Sequence, residues 1–230
     1  MSQSSLFIDI GNSAVKWRLH DSEMCTEDVD LFSSKSLPKA DLVWASAVAH
    51  LSIIEEIKAN FGSVNLVESL KQHGKLTLSY DDPSNFGVDR FLAILGTLER
   101  FPNLPLLVID AGSAVTFDII DNKGIHQGGL IMPGIKALRA SFAKFSTNDL
   151  SINTSELKNN TEGAWQSGTH SMLVSAVNSQ IHNFELKYPS GVITICGGIV
   201  KEIIKELPVS VKSFDNLVLD GLESYSQSMG

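Results

Sequence analysis

The chain carries an internal repeat, and no other feature of its sequence restricts the possible folds as strongly. Residues 8–17 and residues 109–117 both read Ile-Asp-x-Gly-Ser-Ala-Val-x-aromatic when Asn12 is skipped. Self-similar segments indicate a duplicated supersecondary unit, although two hairpins can also resemble each other by chance. In each copy, two apolar and β-prone runs flank a glycine-containing turn, which predicts a β-hairpin. We therefore expect an α/β protein made of two related halves.

Outside the repeat, helix and strand patterns alternate along the chain. Apolar residues at helical spacing predict a helix over 88–101, which Pro102 and Pro105 close. Asp, Pro, Ser and Asn cluster between residues 80 and 87, so we expect the boundary there and halves of residues 1–84 and 85–230. The other predicted elements are strands over 41–48 and 192–196, helices over 52–60, 134–143 (opened by Pro133) and 199–207, a loop over 144–160, and a long helix with Thr161 as its N-cap that ends near residue 187.

Bulk properties exclude several classes of protein. The 230 residues carry a net charge of −8 and contain no Lys/Arg cluster, so a general nucleic-acid binder is not expected. The two cysteines, Cys25 and Cys196, match neither a disulfide framework nor a zinc site, which favours a reducing compartment. No apolar run is long enough to span a membrane, and the first residues do not resemble a signal peptide. We therefore expect a cytoplasmic protein without a membrane partner.

The first turn of the repeat combines groups that suit a phosphate. Asp9 ends a strand of buried character, and Gly11 lets the backbone approach a ligand closely. Asn12 and Ser13 offer hydrogen-bond donors to phosphate oxygens, and Lys16 adds a positive charge. A carboxylate beside a phosphate requires a cation between them, which implies Mg²⁺. The alternative is a plain hairpin, since Gly-Asn is good turn chemistry.

The second turn repeats the same chemistry with Asp110, Gly112 and Ser113. Two such loops facing each other across a cleft would hold a polyphosphate from both sides, which supplies the positioning that phosphoryl transfer requires. The sequence contains neither Gly-x-x-x-x-Gly-Lys-Ser/Thr nor Gly-x-Gly-x-x-Gly after a strand. A P-loop kinase and a dinucleotide-binding fingerprint are therefore excluded.

The segment Gly87-Val88-Asp89-Arg90 opens the helix predicted over 88–101. Asp89 in the first turn is favourable to the helix dipole, and this alone is one explanation for it. Arg90 in the same turn is unfavourable to the dipole, so it requires a partner such as a substrate anion or a carboxylate.

Two further glycine pairs follow in the second half. Residues 128–134 read Gly-Gly-Leu-Ile-Met-Pro-Gly, and residues 194–198 read Thr-Ile-Cys-Gly-Gly. Both suit a close approach of backbone to a ligand, and the second suits packing against a base or a ribose. Each is equally compatible with a strand-to-helix turn, so each is a weak signal alone.

Taken in order, these motifs resemble the type III pantothenate kinases, a family within the acetate and sugar kinase/actin superfamily. The resemblance implies two duplicated RNase H-like (actin-like ATPase) halves with ATP bound in the cleft between them. Ser13 and Ser113 stand where the family has threonines, and both keep the hydroxyl group. The segments that carry the resemblance are residues 9–16, Tyr80 with the Asp-Pro-Ser run, 87–90, 110–116, 128–134, 160–168 and 217–222.

The resemblance also implies roles for individual residues. Asp89 would be the catalytic base that takes the proton from the pantothenate hydroxyl. Asp110 would lie at a monovalent cation, potassium or ammonium, and Ser113 would contact ATP. The ATP phosphates would be bound by Asp9, Ile10, Gly11, Asn12, Ser13, Ala14, Val15 and Lys16. Pantothenate would be bound by Tyr80, Gly87, Val88, Asp89, Arg90 and Thr161.

The implied activity is ATP-dependent phosphorylation of pantothenate to 4'-phosphopantothenate, the first step of coenzyme A biosynthesis. The resemblance implies a homodimer as well. Two alternatives remain open: a kinase of another small alcohol, and a nucleotide-binding regulatory (accessory factor) protein of the same family without turnover. The helix that begins at Thr161 offers an apolar face, although periodicity does not separate core from interface: Met172, Leu173, Ala176, Val177 and Ile181.

Overall fold

The structure is a computed structural model that describes residues 3–142, 144 and 154–229. The chain forms two compact units. The first contains the residues up to Pro102 together with those from Asn216 onward, and the second contains Asn103–Asp215. Among the described residues, no helix combines the length and the apolar character needed to cross a membrane.

Strands and helices alternate along the chain. They are β1 (Ser5–Ile10), β2 (Ala14–Leu19), β3 (Cys25–Asp28), β4 (Leu42–Ala47), α1 (Leu51–Phe61), β5 (Asn65–Leu66), β6 (Gln72–His73), β7 (Leu76–Thr77), α2 (Val88–Arg100), β8 (Leu106–Ala111), β9 (Ala114–Ile120), β10 (His126–Pro133), α3 (Ile135–Ala140), α4 (Thr161–Lys187), β11 (Val192–Cys196), α5 (Val200–Ile203), β12 (Val211–Ser213) and α6 (Leu217–Ser228). Both hairpins predicted from the repeat are present, as β1–β2 and β8–β9.

Each unit is built on a five-stranded sheet, and the two sheets have the same topology. Their strand orders are β3-β2-β1-β4-β5 and β10-β9-β8-β11-β12. In both, the first three strands in sequence pair antiparallel, and the fourth and fifth join parallel. An identical order, including the crossover, is the structural form of the sequence repeat.

The central strand of each sheet is buried on both faces, which explains its continuous apolar run. In the first unit, β1 and β4 pack against α1, whose Ile53, Ile54 and Ile57 are buried. In the second unit, α4 covers β8 and β11 with residues spaced for one helix face, and these are Leu173, Val177, Ile181 and Phe184. Met172 does not belong to that face, since 59% of it is exposed.

The last helix, α6, returns to the first unit and packs closely on α2. A Cβ at Gly96 would lie 2.6 Å from the Leu217 carbonyl oxygen, and one at Gly221 would lie 1.8 Å from that of Leu92. These two glycines let the helix backbones approach each other. Because α2 is held by α6, the first unit extends to Pro102, and the boundary predicted between residues 84 and 85 falls inside it.

Several predicted boundaries in the second unit were wrong by one or a few residues. Pro133 ends β10 instead of opening a helix, and α3 begins after Gly134. The N-cap of α4 is Asn160, whose side chain accepts from the backbone N–H of Gly163, so Thr161 is the first helical residue. The helix predicted over 199–207 is a short α5 followed by a 3-10 turn, Ile204–Glu206. Most of the loop predicted over 144–160 lies outside the described residues.

Candidate functional site

The first candidate loop joins β1 to β2 at the end of the central strand. Asp9, the penultimate residue of β1, is in register with Lys16 on β2 and with Ser46 on β4. The Ser46 hydroxyl donates a hydrogen bond to Asp9 Oδ1 at 3.1 Å. Asp9 is only 7% exposed. The sheet therefore holds this carboxylate between a hydroxyl group on one neighbouring strand and an ammonium-bearing residue on the other.

The electrostatics of Asp9 are unusual for a carboxylate. The pKa of Asp9 is raised to about 6, mainly because burial deprives the charged form of its hydration, with a smaller contribution from the nearby charge of Asp89. The Lys16 charge and the Ser46 hydrogen bond oppose these effects without cancelling them. A buried carboxylate whose pKa is raised in part by a second carboxylate nearby forms a site to which a hard cation is attracted. The structure thus places Asp9 and Asp89, from two separate motifs, within electrostatic reach of each other.

The turn itself is tied down through its carbonyl groups. The Gly11 N–H donates to the Ala14 carbonyl at 3.0 Å, and the Val29 N–H donates to the Ser13 carbonyl at 3.2 Å. The ring Nε2 of His50 lies 3.3 Å from the Asn12 carbonyl oxygen. Sequence reasoning missed His50, since its position beside the loop follows only from the pairing of β4 with β1.

The start of α2 carries the second group of candidate residues. Asp89 Oδ1 accepts from the Arg90 backbone N–H at 2.8 Å, as a carboxylate in the first helical turn can. A Cβ at Gly87 would lie 2.5 Å from this same Oδ1. Glycine at this position therefore leaves the space that the Asp89 carboxylate occupies.

Arg90 is 5% exposed and is held by aromatic rings. Its guanidinium carbon lies 4.4 Å from the ring centroid of Phe86 and 6.0 Å from that of Tyr80. Its Nη1 donates to the Tyr80 hydroxyl at 3.4 Å. These cation–π contacts help to offset the unfavourable interaction between the Arg90 charge and the dipole of α2, which the sequence indicated. Tyr80 and Arg90, predicted together, do lie together, and Phe86 is a partner that the sequence did not single out.

The second candidate loop occupies the equivalent place in the second unit. Asp110, the penultimate residue of β8, is in register with Thr116 on β9 and with Cys196 on β11. The Gly112 N–H donates to the Ala114 carbonyl at 2.9 Å, which matches the bond across the first turn. The strand register makes this turn one residue shorter than the β1–β2 turn, which contains Asn12 as an additional residue.

Both glycine motifs of the second unit converge on this loop. The Gly134 N–H donates to the Ser113 carbonyl at 3.0 Å, and a Cβ at Gly134 would lie 2.4 Å from the Gly112 carbonyl oxygen. Gly197 has a φ of +114°, and a Cβ there would lie 2.6 Å from Asp110 Oδ1. Positions 134 and 197 thus leave no room for a side chain beside this loop. The Asp110 carboxylate and the Ala111 carbonyl oxygen both lie beside Gly197, and such oxygen donors suit a hard cation.

Thr161 is exposed at the first position of α4 in the second unit. Tyr80, Gly87, Asp89 and Arg90 belong to the first unit. Their assembly into one substrate site, like the cleft expected between the two loops, stays a prediction.

Comparison with known proteins identifies the family. Residues 29–183, well over half of the chain, match the family described as type III pantothenate kinase. A type III pantothenate kinase from Colwellia psychrerythraea is 34% identical over 62% of this chain and 62% of its own length. One from Teredinibacter turnerae is 28% identical over 94% of this chain and 96% of its own length.

Solved structures agree on the fold. A conserved putative Baf family transcriptional activator from Campylobacter jejuni matches with a TM-score of 0.67 and 21% identity, over 97% of this chain and 98% of its own. ADP-bound MreB5 of Spiroplasma citri matches with a TM-score of 0.54 and 11% identity, over 99% of this chain and 97% of its own. These likenesses confirm the actin-like ATPase fold. With the family match over residues 29–183, the chain belongs to the type III pantothenate kinase family.

Proposed function

We propose that the protein transfers the γ-phosphoryl group of ATP to the primary hydroxyl of pantothenate, giving 4'-phosphopantothenate and ADP. The observation that carries this proposal, beside membership of the family, is the pairing of Asp9 with Asp89. A buried carboxylate at a phosphate-type loop lies within electrostatic reach of a carboxylate at the start of α2. Phosphoryl transfer depends mainly on positioning and on stabilisation of charge. A kinase therefore requires an acidic residue that binds a cation and another acidic residue near the attacking hydroxyl group.

The β1–β2 loop binds the ATP phosphates in this proposal. Gly11 brings the backbone close, and the turn after it presents the side chains of Asn12 and Ser13, which are exposed. Lys16, opposite Asp9 in the sheet, supplies positive charge to the phosphates. Ile10, Ala14 and Val15 contribute backbone groups that continue the two strands on either side of the turn. Ser113 of the second loop contacts ATP from the second unit.

Asp89 is the catalytic base. Its carboxylate takes the proton of the pantothenate hydroxyl while that oxygen bonds to the γ-phosphorus and the bond to the β–γ bridging oxygen breaks. A carboxylate is basic enough for this role, because the transition state of phosphoryl transfer is loose and the proton leaves late. The absence of a side chain at Gly87 leaves room for the carboxylate.

The residues around Asp89 form the pantothenate site. Arg90, with its guanidinium held against the rings of Phe86 and Tyr80, presents a rigid positive group to a substrate carboxylate. Gly87 and Val88 border the site through the backbone at the start of α2. Thr161 at the start of α4 completes it in this proposal.

Two cations are proposed. Asp9 is the residue fitted to hold Mg²⁺ with the ATP phosphates, since its buried carboxylate lies at the phosphate loop and within electrostatic reach of a second carboxylate, that of Asp89. When bound, the magnesium ion would neutralise charge on the transferred phosphoryl group. Asp110 is fitted to hold potassium or ammonium among the oxygens of its glycine-lined loop.

A homodimer is also proposed. Support comes from apolar side chains that the second unit exposes: Met172 of α4 is 59% exposed, and Leu130 and Ile131 of the edge strand β10 are 52% and 64% exposed. Sedimentation equilibrium at micromolar concentration measures the assembly state. A species of a single chain mass at all concentrations contradicts this part of the proposal.

The test of the activity is a coupled assay that follows ADP release with ATP, Mg²⁺ and pantothenate, with potassium present or replaced by sodium. We expect turnover that depends on pantothenate, Mg²⁺ and potassium. A panel of other small alcohols at fixed ATP tests substrate choice, and turnover of another alcohol in preference to pantothenate contradicts the proposal. Asp89→Ala is expected to fold normally and to lose at least about a hundredfold in kcat, the usual contribution of a general base. Retention of wild-type kcat by this variant contradicts the assignment of Asp89.

A further inference from the structure

His50 lies beside the proposed phosphate loop without belonging to it. Hydrogen bonding between β4 and β1 continues past the end of β4, since the Val48 N–H donates to the Ile10 carbonyl at 3.2 Å. This pairing carries residues 48–50 alongside the turn that follows β1. The chain then enters α1, for which His50 is the N-cap residue.

The imidazole of His50 is directed at the loop and not at its own helix. His50 adopts a left-handed backbone conformation, with φ of 53° and ψ of 47°, and its side chain makes no capping hydrogen bond to α1. Its Nε2 lies 3.3 Å from the Asn12 carbonyl oxygen. A carbonyl oxygen only accepts hydrogen bonds, so Nε2 carries the hydrogen and donates.

This contact determines the direction of the next N–H. Among the described residues no peptide bond is cis. In a planar trans peptide, the carbonyl of residue i and the N–H of residue i+1 point in opposite directions. Holding the Asn12 carbonyl toward His50 therefore turns the Ser13 N–H to the opposite side of the turn. The bond from Val29 to the Ser13 carbonyl orients the next peptide in the same manner.

We propose that His50 is a positioning residue for the nucleoside triphosphate: its Nε2–H holds the Asn12–Ser13 peptide so that the Ser13 N–H faces a phosphate oxygen. The inference rests on the proposed function of the β1–β2 loop as the phosphate site. Because His50 acts through the loop, its removal changes the binding of the nucleotide and not that of pantothenate.

The experiment compares wild type, His50→Gly, His50→Gln and the control His182→Ala. His182 is an exposed histidine on α4 in the other unit. Glycine tolerates the left-handed backbone, so it removes the imidazole without straining the start of α1. Glutamine retains an N–H donor at a similar reach. For each protein, KM for ATP, KM for pantothenate, kcat, and the Kd of Mg²⁺–ADP by calorimetry are measured.

We expect His50→Gly to raise both KM for ATP and the Kd of Mg²⁺–ADP about tenfold, the effect of one lost hydrogen bond at a charged ligand. KM for pantothenate should stay within about twofold, His50→Gln should recover most of the loss, and His182→Ala should match wild type. The inference is overturned by a His50→Gly variant with a wild-type KM for ATP, by equal rises in both KM values, or by a glutamine variant no better than glycine. A wild-type protein that binds no Mg²⁺–ADP would instead remove the proposed function itself.

Discussion

The hydroxyl of Ser46 donates to the carboxylate of Asp9 at 3.1 Å, across two neighbouring parallel strands of one sheet. This bond stabilises the ionised carboxylate, while burial and the charge of Asp89 favour its protonated form. The protonation of Asp9, with a pKa of about 6, is therefore sensitive to each of its neighbours.

Ser46→Ala removes the hydrogen bond and raises the pKa of Asp9 above about 6. A hydrogen bond to a charged group is worth about 1.5 kcal/mol or more, and one pKa unit corresponds to about 1.4 kcal/mol. The acidic limb of the pH profile of kcat/KM for ATP should consequently move up by roughly one pH unit. Ser52→Ala, an exposed serine on α1, is the matched control and should leave the profile in place. An unmoved acidic limb in the Ser46 variant would contradict the role of Asp9 in ATP binding.

Asp9→Asn should stabilise the unliganded protein and abolish its kinase activity. The folded-state pKa of about 6 exceeds the ordinary value of 3.8, so between these values the folded protein holds more protons than the unfolded chain. The free energy of unfolding then falls as pH rises through this window. The neutral amide of Asn does not lose stability in this way. At pH 8 the free energy of unfolding of Asp9→Asn should exceed that of wild type by up to about 3 kcal/mol. Urea unfolding at pH 5 and pH 8 measures the gain, which should shrink at pH 5; a variant less stable than wild type at pH 8 would refute the assignment.

Gly87→Ala should separate activity from stability. The added Cβ would lie 2.5 Å from Asp89 Oδ1 and 3.7 Å or more from the other nearby atoms. The backbone there, with φ of −55° and ψ of 130°, is open to alanine. Rotation of the Asp89 carboxylate relieves the contact, so the free energy of unfolding should change by less than about 1 kcal/mol. kcat should fall at least about tenfold, because the base is displaced. Wild-type kcat in a stably folded variant would show that the carboxylate position is unimportant.

Gly197→Ala and Gly198→Ala form a matched pair of adjacent substitutions. At Gly197, φ is +114° and a Cβ would lie 2.4 Å from the Ala111 carbonyl oxygen, whereas nothing lies within 4 Å of one at Gly198. We expect Gly197→Ala to lower the free energy of unfolding by about 2 kcal/mol or more, because the Ala111 backbone cannot move away from the added methyl group. Gly198→Ala should change it by less than about 0.5 kcal/mol. Thermal unfolding of both variants measures the difference, and equal effects would mean that the loop around Asp110 is not closely packed.

Much of the fold could be predicted from local pattern. The apolar runs are separated by turn residues clearly enough that both predicted hairpins, β1–β2 and β8–β9, and the strand predicted over 192–196, β11, are present. Short strands escaped prediction, because two or three residues carry no periodicity. The glycines of residues 128–134 are equally compatible with a close approach to a ligand and with a strand-to-helix turn. In the structure these residues form most of an edge strand, β10, in which a bulge accommodates Gly128 at φ of +108°.

The candidate site, like the fold, could be predicted from the sequence only in part. The repeated acidic turns identify Asp9 and Asp110, and an unfavourable cation in the first helical turn identifies Arg90. The role of Asp89 follows from the resemblance to the family. The sequence did not identify the neighbours that distant strands and turns supply. Ser46 lies 37 residues from Asp9, and His50 lies 38 residues from Asn12. Their proximity depends on strand pairing, which no local pattern encodes.

The sequence by itself determined the duplication, the two acidic turns and the family, since these depend on residue order and short-range geometry. Only the tertiary structure decided which groups surround each acid. Sheet order places Ser46 and Lys16 on either side of Asp9, and helix packing brings α6 back to the first unit. The physical reason is that burial and charge act through space, so the pKa of Asp9 depends on neighbours that the chain brings together only when it folds.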